Sequence, residues 1–378
     1  MDKVDRIITQ LRTGQQEEAL SGYREILTGG SAAEKFALYE GMFELGFLNE
    51  AASLIENLLE QYPGDGELLT SLGEIYIELG DDEKALLILN QIGEDDPSYP
   101  KSLLIQADLY QMQGLYEVSE QKLLQAKKLL PEEEVIDFAL GELYLEEGRF
   151  TEAIQAYKRV LPEESMGGAN IYQRLAEAYS AGGAFEEALP YYDQALEKQL
   201  DPDTLFHYGF TAYQAGKNAL AIRKFTDLKE LDPDYFSLYY YLAKAYEKEE
   251  ELEKSFQTIK EGIHYDEFNK DLFFLGGKIA LKLGKEEEGE AYLIKALELD
   301  PEFIEAGLVL NKILLHQEKY EDVLENCKSF MENGLEDPQF FWDEAVALQN
   351  LELYLEALNK YELAYNFFKD NIDFLVDY

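Results

Sequence analysis

The sequence predicts an all-α protein: a right-handed superhelical solenoid of about eleven helix-turn-helix repeats. Three observations predict it. Tyr76, Tyr110 and Tyr144 stand 34 residues apart, Tyr179 follows at 35, and Tyr246 lies two periods further on. A small residue precedes each by three positions: Gly73, Ala107, Gly141, Ala176 and Ala243. Prolines punctuate the same period at Pro63, Pro97, Pro131, Pro202, Pro233, Pro301 and Pro338. A fixed period of this length means stacked helical hairpins, each packing on its neighbours.

In chain order, a weak first unit occupies residues 1–31, with Gly14, Ala19 and Tyr23 in the repeated places. Further repeats begin near 32, 66, 100, 134, 169, 202, 236, 270, 304 and 338. The one starting at 66 shows the grammar. Leu68, Leu69, Leu72, Ile75, Tyr76 and Leu79 have helical spacing and predict a first helix over Glu67–Glu78. Leu79-Gly80-Asp81 stops it, because glycine supplies the left-handed turn. A second helix is predicted over Asp82–Ile92, with Ala85, Leu86, Leu89 and Ile92 inward, and Pro97 closes the repeat. Second-helix alanines recur at Ala19, Ala51, Ala153, Ala188, Ala221 and Ala357. Tyr39 and Asn311 depart from the pattern by standing where Gly or Ala is usual. The junction from Leu161 to Asn170, with Pro162, Gly167 and Gly168, is irregular and reads as a longer loop or a hinge. It suggests two arrays, residues 1–168 and 169–378, or one continuous solenoid. Ile372–Tyr378 reads as the opening of another first helix with no capping helix after it, so the C-terminal end of the stack is expected to be open.

Leu72, Gly73 and Tyr76, then Ala85, then Pro97, give a pattern that resembles the tetratricopeptide repeat (TPR). Leu140, Gly141, Tyr144 and Ala153 repeat it, as do Ala221, Phe225 and Pro233. The resemblance covers nearly the whole chain. It implies a scaffold whose first helices line a concave groove, with ligands held by side chains at repeat positions 2, 5, 9, 12 and 13. The long all-repeat form resembles cytosolic bacterial members of the family.

Composition narrows the function further. The hydrophobic fraction of 46% suffices for a folded chain, and the net charge of -44 comes from 77 acids against 33 bases. That field repels nucleic acid and anionic membrane and favours basic partners. Cys327 is the only cysteine, which excludes an intramolecular disulfide and a cysteine zinc site; its place among Leu123, Tyr157 and Phe225 makes it a core residue. The start of the chain, with Asp2, Lys3, Asp5 and Arg6, does not read as a signal peptide, and no apolar run approaches a membrane span; a cytoplasmic location is expected. His207, His264 and His316 lie in separate repeats without zinc-ligand spacing. The glycine pairs match neither a phosphate loop nor a dinucleotide-binding turn, and no strand is predicted. Neither an enzyme nor a cofactor protein is expected.

Used as a ruler, the period exposes a change of chemistry. Position 9 reads Glu40, Glu74, Asp108, Glu142, Glu177, Phe210, Lys244, Lys278, Lys312, Val346. Position 13 adds Lys248 and Lys282, four residues after Lys244 and Lys278. Position 5 gives an apolar line that includes Phe206, Tyr240, Phe274, Leu308 and Trp342. Neighbouring helices pack about 8–10 Å apart. That is about one Debye length in physiological salt, so stability neither forbids nor explains a lysine ladder. Lysines beside apolar rings suit an extended or helical peptide with acidic and hydrophobic residues. Some family members clamp a peptide's terminal carboxylate with lysines and asparagines; position 9 is never asparagine here, so that clamp does not carry over. Three readings follow: a non-catalytic protein- or peptide-binding scaffold using the C-terminal groove, with the acidic groove as a secondary site; a peptide-sensing regulator; and a structural spacer that self-associates through its C-terminal end.

Overall fold

In the computed structural model, which describes residues 3–161, 165–166 and 168–378, the chain divides into two compact units, Met1–Gly183 and Ala184–Tyr378. Both are built from antiparallel helical hairpins.

The N-terminal unit opens with α1 (Lys3–Arg12) and α2 (Gln16–Gly29). Three hairpins follow: α3 (Ala32–Glu44) with α4 (Leu48–Gln61), α5 (Gly66–Glu78) with α6 (Asp82–Leu89), and α7 (Tyr99–Met112) with α8 (Tyr116–Leu129). Then come α9 (Glu134–Glu146) with α10 (Phe150–Val160), a short hairpin of β1 (Ser165–Met166) and β2 (Ala169–Asn170), and α11 (Ile171–Ala181). The C-terminal unit begins with α12 (Phe185–Lys198). It continues with α13 (Pro202–Gln214), α14 (Asn218–Leu231), α15 (Ser237–Lys248), α16 (Leu252–Tyr265), α17 (Lys270–Lys282) and α18 (Glu286–Leu299). It ends with α19 (Ile304–His316), α20 (Tyr320–Glu332), α21 (Pro338–Asn350), α22 (Tyr354–Phe368) and α23 (Ile372–Asp377).

Local chemistry sets the helix ends. Asp65, Asp201, Asn269 and Asp337 accept backbone N–H bonds at the starts of α5, α13, α17 and α21. Ser31 and Glu34 form a reciprocal capping box on α3. Gly80 takes φ +73° in the turn between α5 and α6. At the equivalent turn of three later repeats Glu250, Glu318 and Glu352 adopt φ of 60°, 57° and 61°, a conformation that strains a residue with a Cβ.

In four of the hairpins a first-helix glycine receives a large second-helix side chain. Gly73 faces Leu89, Gly141 faces Tyr157, Gly209 faces Phe225 and Gly277 faces Leu293. A Cβ added at Gly141 would lie 2.5 Å from Tyr157 Cε1, so the close approach needs glycine. The repeat beginning at 304 reverses the sizes. Asn311 occupies the small position, and Cys327 stands opposite it, with Asn311 Nδ2 3.2 Å from Cys327 Sγ. The cysteine is a fully buried core residue, and burial pushes its thiol up to about 12.

One expectation is corrected. The sequence predicts no strand, yet Ser165 and Met166 pair antiparallel with Asn170 and Ala169. Gly168, at φ +85°, supplies the turn conformation that a short hairpin requires. Of the irregular junction, Pro162 and Gly167 lie outside the described residues. Residues Ile372–Asp377 form the further first helix that the sequence opens. Although only six residues long, α23 folds onto α21 and α22, because Phe374 is buried against Trp342, Tyr361 and Phe368 at ring separations of 5.2, 5.8 and 5.7 Å. Ile372, Leu375 and Val376 remain exposed.

Candidate functional site

On α15 and α17 the i, i+4 spacing places a ring and two amines in one stripe: Tyr240, Lys244 and Lys248, then Phe274, Lys278 and Lys282. On α19 the same stripe carries Leu308 and Lys312. Tyr240 and Phe274 are half-buried, whereas Lys248, Lys278, Lys282 and Lys312 are exposed. The amines fold back over the rings. Lys244 Nζ lies 5.2 Å from the Tyr240 ring centroid and 5.9 Å from that of Tyr213, and Lys278 Nζ lies 5.3 Å from Phe274. Such contacts are worth about 0.5–1 kcal/mol at exposed sites.

Many lysines outside the ladder are tied to carboxylates. Lys217, Lys260, Lys285 and Lys319 each hold Nζ 2.7–3.1 Å from a carboxylate oxygen, and Lys229, Lys254, Lys270 and Lys295 are paired as well. Lys282 is the one ladder residue so tied, to Glu247 at 2.7 Å. Among the described residues no carboxylate lies within ion-pair distance of Lys244, Lys248, Lys278 or Lys312. In a chain with 77 acids, these amines have been left without them.

The two ends of the aromatic line pack against further rings. Phe206 is half-buried among Phe210, Tyr235 and Tyr241, at 6.4, 5.0 and 5.9 Å. Trp342 is covered by Phe368, and its indole N–H donates to Asp377 at 3.0 Å. Tyr213 and Tyr241, which extend the ring surface, are absent from the sequence reading. Tyr213 could have been found at position 12, one period before Glu247.

The acidic residues of the N-terminal unit fall into two groups. Glu142 accepts from the Tyr157 hydroxyl at 2.6 Å and lies 3.1 Å from Arg174, which also holds Glu177 at 2.9 Å. These two carboxylates are engaged in joining α9 to α11. Burial and the neighbouring Glu142 charge push the Tyr157 hydroxyl well above its ordinary range. Glu74 pairs with Lys101 at 2.7 Å. Glu40 is exposed and has no ion pair among the described residues, and partial burial raises the Asp108 carboxyl. Arg174 is the residue that sequence reasoning missed, since its role depends on the neighbouring repeat. Among the described residues no group of three or more His, Cys, Asp or Glu could hold a metal ion, and no helix is long and apolar enough to cross a membrane.

Stacked hairpins with a chemically graded first-helix face define a helical repeat protein. Sequence-family profiles agree: tetratricopeptide repeats match residues 42–109, 144–207 and 272–303. YpiA-like repeats match 111–165, and YpiA-like C-terminal repeats match 338–378. The chain belongs to the tetratricopeptide repeat family. It is 45% identical over 376 residues to the TPR repeat-containing protein YpiA of Bacillus subtilis (strain 168), covering 99% of this chain and 89% of that protein. The Protein CTR9 homolog of Arabidopsis thaliana is 24% identical over 265 residues, 65% of this chain and 24% of its own length. Among solved structures, YrrB, described as "a TPR protein with an unusual peptide-binding site", matches 52% of this chain and 97% of its own with TM-score 0.42 and 17% identity. MamA from Desulfovibrio magneticus RS-1 matches 43% of this chain and 92% of its own with TM-score 0.40 and 21% identity.

Proposed function

We propose that the protein is a non-catalytic scaffold whose C-terminal unit holds an acidic, partly apolar peptide segment of a partner protein along α15, α17 and α19. The observation that carries this reading is the set of unpaired lysines. Lys244 and Lys278 lie over half-buried rings, with Lys248 and Lys312 on the same repeated stripe, while most other lysines of the unit reach carboxylates. A charge kept free beside apolar surface is a low-cost docking site, because no internal pair must be broken before a ligand carboxylate enters. Tyr240 and Phe274 supply rigid apolar contact for the same segment.

The test is a titration with a fluorescein-labelled peptide of alternating glutamate and leucine. Lys278→Glu combined with Lys312→Glu should weaken binding at least about tenfold, the effect of about 1.4 kcal/mol, while the helical circular dichroism is retained. Equal binding by the folded double variant would reject the site.

A further inference from the structure

The N-terminal unit carries a second feature of different chemistry. A cavity of 340 Å³ opens between α3, α4 and α5, walled by Phe36, Leu58, Tyr62 and Leu68. Its floor is open because α3 begins with Ala32 and Ala33, where other first helices begin with larger pairs such as Glu134 and Val135 or Lys270 and Asp271. A hollow of this size is at the small end of ligand sites; it suits one large apolar side chain. Tyr62 stands half-exposed at its edge.

The surroundings are strongly anionic. Residues 36–83 contain twelve acids and neither lysine nor arginine. Asp65 and Glu67 form the lip of the cavity. Glu67, Glu40 and Glu78 have no ion pair among the described residues. Of the flanking cations, Lys84 pairs with Asp81 and Lys101 with Glu74, and Lys35 is buried away from the surface with its Nζ 2.6 Å from Asn57 Oδ1. We propose that this hollow anchors a lysine- or arginine-rich peptide segment, which inserts one aromatic or leucine side chain between Phe36 and Leu68 while its cations face Glu40, Glu67 and Glu78. The site is separate from the lysine ladder and takes a ligand of the opposite charge.

The experiment uses the full chain and a fluorescein-labelled synthetic peptide of alternating lysine and serine with one central tryptophan, read by fluorescence anisotropy. Replacing the tryptophan by alanine should weaken binding at least about tenfold. Replacing the lysines by glutamates should abolish it. Ala33→Phe fills the hollow, and should reduce the affinity of the tryptophan peptide to that of the alanine peptide. Lys278→Glu with Lys312→Glu should leave this peptide unaffected, so failure here is distinct from failure of the lysine-ladder reading. Equal binding of the tryptophan and alanine peptides to the unmodified chain would overturn the proposal without recourse to any protein variant. So would undiminished binding by Ala33→Phe, or loss of binding in the lysine variant. Concentration-dependent dimerisation that Ala33→Phe abolishes, with no peptide bound, would assign the hollow to a second copy and equally overturn it.

Discussion

Asp343 is a buried carboxylate that no cation contacts among the described residues. Its oxygens accept from Asn311 Nδ2 at 3.0 Å and Gln339 Nε2 at 2.8 Å, and Asn311 Oδ1 in turn accepts from Asn326 at 2.7 Å. Burial raises the Asp343 carboxyl above its ordinary range; the bonds from Gln339 and Asn311 and the charge of Lys312 oppose this only in part. A raised folded-state value means that protonation favours the fold. The contribution is therefore fully present below the unfolded value of about 4 and is lost as pH rises through the folded value. Asp343→Asn should remove this dependence. The Asn side chain keeps both positions bonded once the Gln339 amide turns to present its oxygen. The variant is expected to melt about 2–4 °C higher than the unmodified chain at pH 8, the shift that ~1 kcal/mol produces in a domain of this size. The gain should shrink at pH 4. Thermal melts at the two pH values check it, and an equal gain at both would show that charge is not the cause.

At the scale of the element, the hairpins follow a size rule between two residues sixteen positions apart, and repeat ten inverts it. Ala107 and Leu123 are both buried at this spacing and Gly141 faces Tyr157, but Asn311 faces Cys327. Cys327→Leu should overpack against Asn311 and destabilise by about 1–3 kcal/mol. Adding Asn311→Ala recreates the pair found at Ala107 and Leu123, so it should recover part of the loss. Recovery stays partial because Asp343 loses a donor. Urea midpoints of the two single variants and the double variant give the coupling; strict additivity would mean that the two residues do not share one space. The same comparison shows what the sequence discloses. The helices, their turns and the small-large rule are legible in Gly73, Tyr76 and Leu-Gly-Asp at 79–81, because each is set inside one repeat and recurs. The ring-and-lysine ladder is legible for the same reason. The bridge from Arg174 to Glu142 and Glu177 is not, since partner choice depends on how two different repeats meet. Nor is the way α23 packs, since its hold on α21 and α22 rests on the single buried Phe374. The hairpin of β1 and β2 rests on two residue pairs and leaves no alternation to read.

At the scale of the whole molecule, the net charge of -44 and the local lysine stripe act on an acidic ligand with opposite signs. Their ranges differ, and salt separates them. At 0.01 M salt the Debye length is about 30 Å, so an approaching acidic peptide feels the repulsion of the entire chain; near 0.15 M it is about 8 Å, and the nearby lysines outweigh distant acids. Contacts a few ångströms apart survive that change better than the long-range field does. The association rate of a glutamate-leucine peptide with the lysine ladder should therefore rise between 0.01 and about 0.1 M salt, then fall as the contacts themselves are screened. A lysine-tryptophan peptide meets attraction at every distance, and its rate should fall throughout. Stopped-flow anisotropy across this range measures both. An acidic peptide whose association slows steadily from the lowest salt upward would show that the lysine stripe governs the field beyond its own surface, and that the excess of acids is too far from the site to matter.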